Sequence, residues 1–263
     1  MGMTVSSEQL QKYQQDGYAI FPSVLDADLI QEASDHVEWL QKKHPQLRPE
    51  ALHHWLMWDD PFWLRLIADD RLLDIVEAFI GPNIALFASH YICKPGGDGL
   101  PVLWHQDGYY WPLEPMEVIT VWLTVDDSDR ENGCMRVIPG THRPRTLYPH
   151  IRATTEAVLS QELEAHFVDD SKAVDVEVPR GGISVHDPFL IHGSNPNRSS
   201  RRRCGLTIRY IPTSTKITRE DWKTFLLRGT DTHHKNVYSP FPPFRPGDHF
   251  PFRDLATYRG GVA

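Results

Sequence analysis

From Ile84 to Ile211 the chain strings together short β-prone runs separated by turns, with no amphipathic helix of the kind that joins parallel strands. The runs are IALFASHYI (84–92), EVITVWLTV (117–125), CMRVI (134–138), VDVEV (174–178), GISVH (182–186) and LTIRYI (206–211), and Asn132-Gly133 and Pro139-Gly140 supply turn signals. Such spacing predicts a barrel or a jelly roll, because closely connected strands close on themselves without βαβ crossovers. That reading limits where chemistry can sit: on inward-facing strand residues and on the loops at the barrel mouth.

The residues ahead of this region read as helical. Ser6 and Gln9 form a capping box for a helix over about 6–15 that Asp16-Gly17 ends. Asp26 caps a second helix, in which Leu29, Ala33, Val37 and Leu40 recur at helical spacing until His44-Pro45. A third helical stretch begins near Pro61 and runs to Gly81-Pro82. Between 144 and 170 the sequence is mixed and charged, as expected of an insertion with some helix. After 228, repeated Pro, Phe and Arg (SPFPPFRPGDHFPFRD) read as an irregular strap. With 263 residues and no linker or repeat, one domain spanning 1–263 is expected: a helical part over about 1–82, a β core over about 84–212 and a C-terminal strap over about 213–263.

The net charge of −8, with arginine scattered apart from Arg201, Arg202 and Arg203, argues against nucleic acid as a partner. No stretch approaches the roughly 18 consecutive apolar residues of a membrane span, and the first residues lack the apolar segment of a signal peptide. Cys93, Cys134 and Cys204 are too few and too dispersed for a disulfide framework or a CxxC zinc site. A reducing compartment, the cytoplasm, is the expected location, and a small molecule the expected partner.

Chemistry concentrates in WHQDG (104–108). His105 and Asp107 stand two positions apart, so on an extended strand both point to one face, where an imidazole and a carboxylate can chelate. The alternative is a strand-end histidine beside a turn aspartate. Two ligands under-coordinate a divalent ion, so a third is expected from elsewhere, most simply another histidine. His186 and His192 both stand in HDPFLIHGSNPNRSSRRRCGLTIRY (186–210). Pro188 interrupts the first, whereas His192 ends an apolar run at a Gly-Ser turn, which selects His192. Arg203 follows eleven residues later and shares a strand face with Gly205, Thr207 and Arg209. If that face is the core, the arginines require anionic partners, and a dicarboxylate suits a guanidinium fork; the other reading is a solvated strand face.

Taken in order, QKYQQDGYAIFPSVLDADLI, GPNIALFASHYICKPGG, WHQDG, VWLTVDDSDRENGCMRVIPGTH and IHGSNPNRSSRRRCGLTIRY resemble successive segments of the phytanoyl-CoA dioxygenase family of Fe(II)- and 2-oxoglutarate-dependent oxygenases. The resemblance covers most of the chain. It implies a mainly β fold with flanking helices and a double-stranded β-helix, or cupin-like jelly-roll, core. It assigns His105, Asp107 and His192 to Fe(II), Arg203 and Ser194 to the distal carboxylate of 2-oxoglutarate, Trp122 to the vicinity of that cosubstrate and His90 to the strand lining it. His142 is read as structural. Relatives sometimes offer 2-oxoglutarate a lysine near the position held here by His53 and His54, which this chain lacks there.

The implied reaction consumes 2-oxoglutarate and O2, releases succinate and CO2, and hydroxylates an unactivated C–H bond of a small metabolite or natural product. Halogenating relatives carry a small residue where this chain has Asp107, so hydroxylation is favoured. Tyr109, Tyr110 and Trp111 are candidates for an aromatic substrate wall, and Arg209 for an anionic substrate group. Two other classes stay in view. A cupin-like metalloenzyme that does not use 2-oxoglutarate would not need Arg203, and a catalytically silent ligand-binding relative would have lost a metal ligand.

Overall fold

The computed structural model describes residues 4–263. Its first helix, α1 (Ser7–Asp16), starts at a reciprocal capping box: the Gln9 amide donates to the Ser6 hydroxyl and the Ser6 amide to the Gln9 side chain. Gly17 ends it at φ 85°, a left-handed conformation that favours glycine, and a Cβ there would also strike the His142 ring. Helix α2 (Ala27–Lys43) is capped by Asp26 and buries Leu29, Ile30, Ala33, Val37 and Leu40. After the single turn α3 (His54–Met57), the expected third stretch proves to be two helices, α4 (Pro61–Ile67) and α5 (Asp70–Ile80). The break has a local cause: Asp69 accepts from the Arg71 amide and so caps a new helix instead of continuing the old one.

The strands are β1 (Tyr18–Phe21), β2 (Ile84–Lys94), β3 (Val102–His105), β4 (Leu113–Glu114), β5 (Ile119–Thr124), β6 (Met135–Val137), β7 (His150–Arg152), β8 (Gln161–Leu163), β9 (Val174–Val176), β10 (Ile183–His186), β11 (His192–Ser194), β12 (Arg203–Pro212), β13 (Lys216–Ile217) and β14 (Phe225–Arg228). Six form a major sheet in the order β1-β10-β5-β12-β2-β14, and four a minor sheet in the order β3-β11-β6-β9, all antiparallel. Alternation along the central strands sorts the chemistry. On β12, Cys204, Leu206, Ile208 and Tyr210 turn into the main core with Tyr91, Val121 and Leu123 and the apolar faces of α2, α4 and α5. Arg203, Thr207 and Arg209 turn the other way, into a cavity that the minor sheet closes with Val102, His105, Met135 and His192. Two antiparallel sheets facing each other around one cavity make a jelly roll, one of the two forms that the strand spacing predicts.

Segment 144–170 holds the β7–β8 hairpin and a 3-10 turn, and no α-helix, contrary to expectation. Strand β14 was not foreseen either; it extends the edge of the major sheet beside β2. Beyond it, Phe241, Phe244, Phe252 and Tyr258 reach into the core beneath α2 and α4. The cysteines also differ from expectation. Strand register sets Cys93 opposite Cys204, 111 residues apart in sequence, and the two are bonded, while Cys134 is free and buried. Sequence separation says nothing about such a pair, because the antiparallel ladder alone brings it together. Among the described residues, no helix is long and apolar enough to cross a membrane.

Candidate active site

His105 closes β3, and Asp107 opens the 3-10 turn that follows it. The intervening Gln106 is extended (φ −121°, ψ 124°), so the ligand pair shares one face although only His105 lies in the strand. Across the β3–β11 ladder His192 sits in register with His105, their rings 4.1 Å apart. The Nε2 of His105 lies 3.5 Å from Asp107 Oδ1, and that of His192 lies 3.9 Å from Oδ2. One ligand atom from each of the three can be chosen so that all lie within 4.8 Å of one another, and all three residues are buried. Arrangement of the imidazoles follows from the backbone. Nδ1 of His105 donates to the Leu103 carbonyl and Nδ1 of His192 to the Leu190 carbonyl, both at 2.9 Å, which leaves the Nε2 lone pairs for the shared point.

Electrostatics keep these donors in the ligating state. Burial, reinforced by His105 and His186, pushes the His192 imidazolium well below its ordinary range, so the ring is neutral. Burial alone would raise the Asp107 carboxyl. Contacts with His105 and His186 and the charge of Arg209 overcome it and hold Asp107 ionised, well below the usual range. Thr120 Oγ1 donates to Asp107 Oδ2 at 3.3 Å, and His186 Nε2 lies 3.3 Å from the same oxygen. His186, the sequence's other candidate for third ligand, thus orients the carboxylate. Two imidazoles and one carboxylate on one side of a cavity form a donor set suited to a divalent transition metal with open positions.

The far end of the same chamber is cationic. Arg203 is 2% exposed, its Nε has no hydrogen-bond partner, and no carboxylate pairs with it among the described residues. Its guanidinium lies 4.8 Å from the Trp122 ring, and burial lowers its pKa to about 10. Gly205 makes room for that indole, since a Cβ there would come within 2.2 Å of it. Ser194 lines the chamber too, its hydroxyl accepting from Lys94 Nζ at 2.7 Å. Lys94 is fully buried, and desolvation together with the Arg203 charge pulls its pKa down to about 5. This lysine was missed from sequence, although alternation from His90 through Ile92 to Lys94 carries the signal. A buried, unpaired guanidinium beside a buried lysine amine that can take up a proton is a receptor for a small anion.

His90 and Arg209 stand where the inner chamber opens into an outer cavity of about 650 Å3. Tyr109, Tyr110 and Trp111 line this outer space together with Phe87, Trp222, His53 and His54. Tyr109 is 40% exposed and stacks on His150 at 4.0 Å, which places it at the rim; Trp111 is half-buried against Phe87 and Arg209. His142 lies outside both spaces, with Nε2 3.2 Å from the Gln14 carbonyl at the end of α1, in keeping with a structural role.

Residues 4–205 match the family model described as Phytanoyl-CoA dioxygenase (PhyH). Over 148 residues the chain is 30% identical to a protein of Stutzerimonas stutzeri named probable alpha-ketoglutarate-dependent hypophosphite dioxygenase, covering 55% of this chain and 51% of that one. Over 152 residues it is 32% identical to the peroxisomal phytanoyl-CoA dioxygenase of Rattus norvegicus, covering 56% of this chain and 45% of that one. The chain therefore spans about half the length of these curated relatives. Among solved structures, a non-heme monooxygenase, ThoJ in its apo form, superposes with a TM-score of 0.77 over 88% of this chain and 87% of its own, at 24% identity, a likeness of fold.

Proposed function

The chain belongs to the phytanoyl-CoA dioxygenase family, and from that premise we propose that it is an Fe(II)- and 2-oxoglutarate-dependent oxygenase that hydroxylates a C–H bond of a small molecule. One observation carries the reading: a two-histidine, one-carboxylate donor set and a buried arginine without a carboxylate partner open into one chamber. The donor set fits Fe(II), because both imidazoles are held with Nε2 free and the carboxylate is held ionised. The unpaired guanidinium fits the distal carboxylate of 2-oxoglutarate.

In this reading His105, Asp107 and His192 hold the metal. Arg203 and Ser194 anchor the distal carboxylate, with Lys94 behind Ser194 adding positive charge. Trp122, wedged beside Gly205, forms the wall against which the cosubstrate chain lies. Bound iron supplies the oxidising chemistry by which 2-oxoglutarate, O2 and R–H become succinate, CO2 and R–OH. The protein's own share is ligand geometry, orientation of the target bond and exclusion of water. His105, Asp107, His192, Ser194 and Arg203 are all buried, which shields the centre from bulk water. Tyr109, Trp111 and Arg209 contact the substrate on that side.

The test is anaerobic addition of Fe(II) and then 2-oxoglutarate to the purified protein. A weak visible charge-transfer band that requires both additions is expected, and its absence from iron-loaded protein defeats the reading. A panel of metabolites is then screened for stimulated succinate release.

A further inference from the structure

Arg209 is the least compensated cation at the mouth of the site. Its side chain is 7% exposed, on the central strand β12. One terminal nitrogen, Nη1, donates to His90 Nδ1 at 2.9 Å and to the Thr207 hydroxyl. Its Nε has no partner, and Nη2 lies 3.9 Å from Asp107 Oδ1, the one carboxylate within ion-pair reach among the described residues. In the oxygenase reading that carboxylate is committed to the metal, so its charge is already spoken for. A buried guanidinium in this position needs a second anion.

The contact with His90 sharpens the point. A guanidinium can only donate, so His90 Nδ1 must be the acceptor and the ring proton must reside on Nε2. Burial and the Arg209 charge keep the ring neutral. At the boundary between inner chamber and outer cavity, His90 and Arg209 therefore present hydrogen-bond donors only. Beyond them the cavity has an aromatic wall, with His53, His54 and Arg219, which is paired with Asp221, also on its lining. Phe87 stacks on Trp222 at 5.0 Å and 19°, and Trp111 meets Phe87 edge-on at 5.8 Å while lying 5.5 Å from the Arg209 guanidinium. At about 650 Å3 the space suits a compact organic molecule.

We propose that the substrate is a compact hydrophobic acid whose oxyanion, a carboxylate or a phosphonate, is gripped by Arg209 with the Nε2–H of His90 as second donor, while its apolar body lies against Trp111, Phe87 and Trp222. The inference rests on the oxygenase reading for the role of the neighbouring chamber and adds to it the class of molecule that enters from the other side. Neutral amides and esters of the same shape are excluded, because they leave the guanidinium desolvated and unpaired.

Trp111 and Trp222 line the cavity, so intrinsic fluorescence reports binding with or without metal. The probes are 3-phenylpropionate, 3-phenylpropionamide and 2-phenylethylphosphonate, titrated into protein saturated with 2-oxoglutarate, once without iron and once with Fe(II) under anaerobic conditions. The acid is expected to bind at least 10-fold more tightly than the amide. A phosphonate tighter than the carboxylate assigns the oxyanion to phosphorus, and the reverse order assigns it to carbon. Arg209→Gln should abolish the preference, and Arg209→Lys should keep part of it. Equal affinity for acid and amide, binding of neither, or a preference that survives Arg209→Gln overturns the proposal. The charge-transfer band of the Fe(II)–2-oxoglutarate sample is recorded alongside. A band without acid preference sinks this inference alone, and acid preference without a band sinks the oxygenase reading alone.

Discussion

The side-chain amide of Gln106 donates to the Phe189 carbonyl at 2.7 Å, tying the strand that ends in His105 to the turn that leads into His192. The same amide donates to the Thr146 carbonyl and its oxygen accepts from the Tyr148 amide, while the Gln106 backbone amide donates to His150 Nε2. The residue between the two ligands is thus a fully satisfied, fully buried clamp. Replacing it with Leu strands the 146 and 189 carbonyls, at about 1–3 kcal/mol for each buried polar group left unsatisfied. Fe(II) affinity is expected to fall about 10–100-fold, as for other residues that orient ligands. Metal titration should show this, and Gln106→Glu should not recover the loss, because a carboxylate has no donor for the two carbonyls.

Substituting Ala for His105, Asp107 or His192 one at a time should abolish the visible band and lower coupled succinate release by at least about 100-fold. His186→Ala should act differently, since it removes an orienting contact to Asp107 and a ring packed against His192 but no ligand. Metal is retained and affinity drops by about 10-fold. Metal analysis after dialysis distinguishes the two patterns.

Arg203→Ala should raise the 2-oxoglutarate KM by roughly 30-fold or more, corresponding to about 2–5 kcal/mol for a buried charge pair, with Fe(II) binding unchanged. Gly205→Val should reach a similar end by another route, because a side chain at 205 drives into the Trp122 indole beside Arg203. Steady-state kinetics on folded variants, paired with metal titration, is the check.

Lys94 couples cosubstrate binding to protons. With its pKa drawn down to about 5 by burial and Arg203, it is neutral in the free protein at neutral pH. A bound dianion favours the ammonium form, so the complex holds the extra proton and affinity rises as pH falls toward 5, by up to about tenfold per unit. Calorimetry in two buffers of different ionisation enthalpy should reveal net proton uptake, and Lys94→Met should erase it.

Far from the site, Asp60 pairs with His36 at 2.9 Å and caps α4 through the Trp63 amide, both side chains being buried. Burial pushes the Asp60 carboxyl up, but His36 and the Trp63 amide outweigh it and hold its pKa below the usual value. A depressed carboxyl stabilises the fold above the unfolded pKa, and that stability is lost as pH falls through the folded value. Asp60→Ala should cost about 1–3 kcal/mol, since it strips His36 Nε2 of its buried partner and α4 of its cap. Chemical denaturation measures the loss, which should shrink in acid.

What the amino-acid order determined by itself was local or periodic: the caps of α1 and α2, the two faces of β12, the spacing of short strands that calls for a barrel or a jelly roll, and the ligand pair flanking Gln106. Each follows from interactions within a few residues or from alternation along one strand, and both can be read along a line. Only the tertiary structure decided that Lys94 and Arg203 share one buried pocket, that Cys93 meets Cys204, and that Arg209 is left with a single shared carboxylate. Those outcomes depend on register between strands distant in sequence and on desolvation. Neither has a value until the sheets close and water is gone.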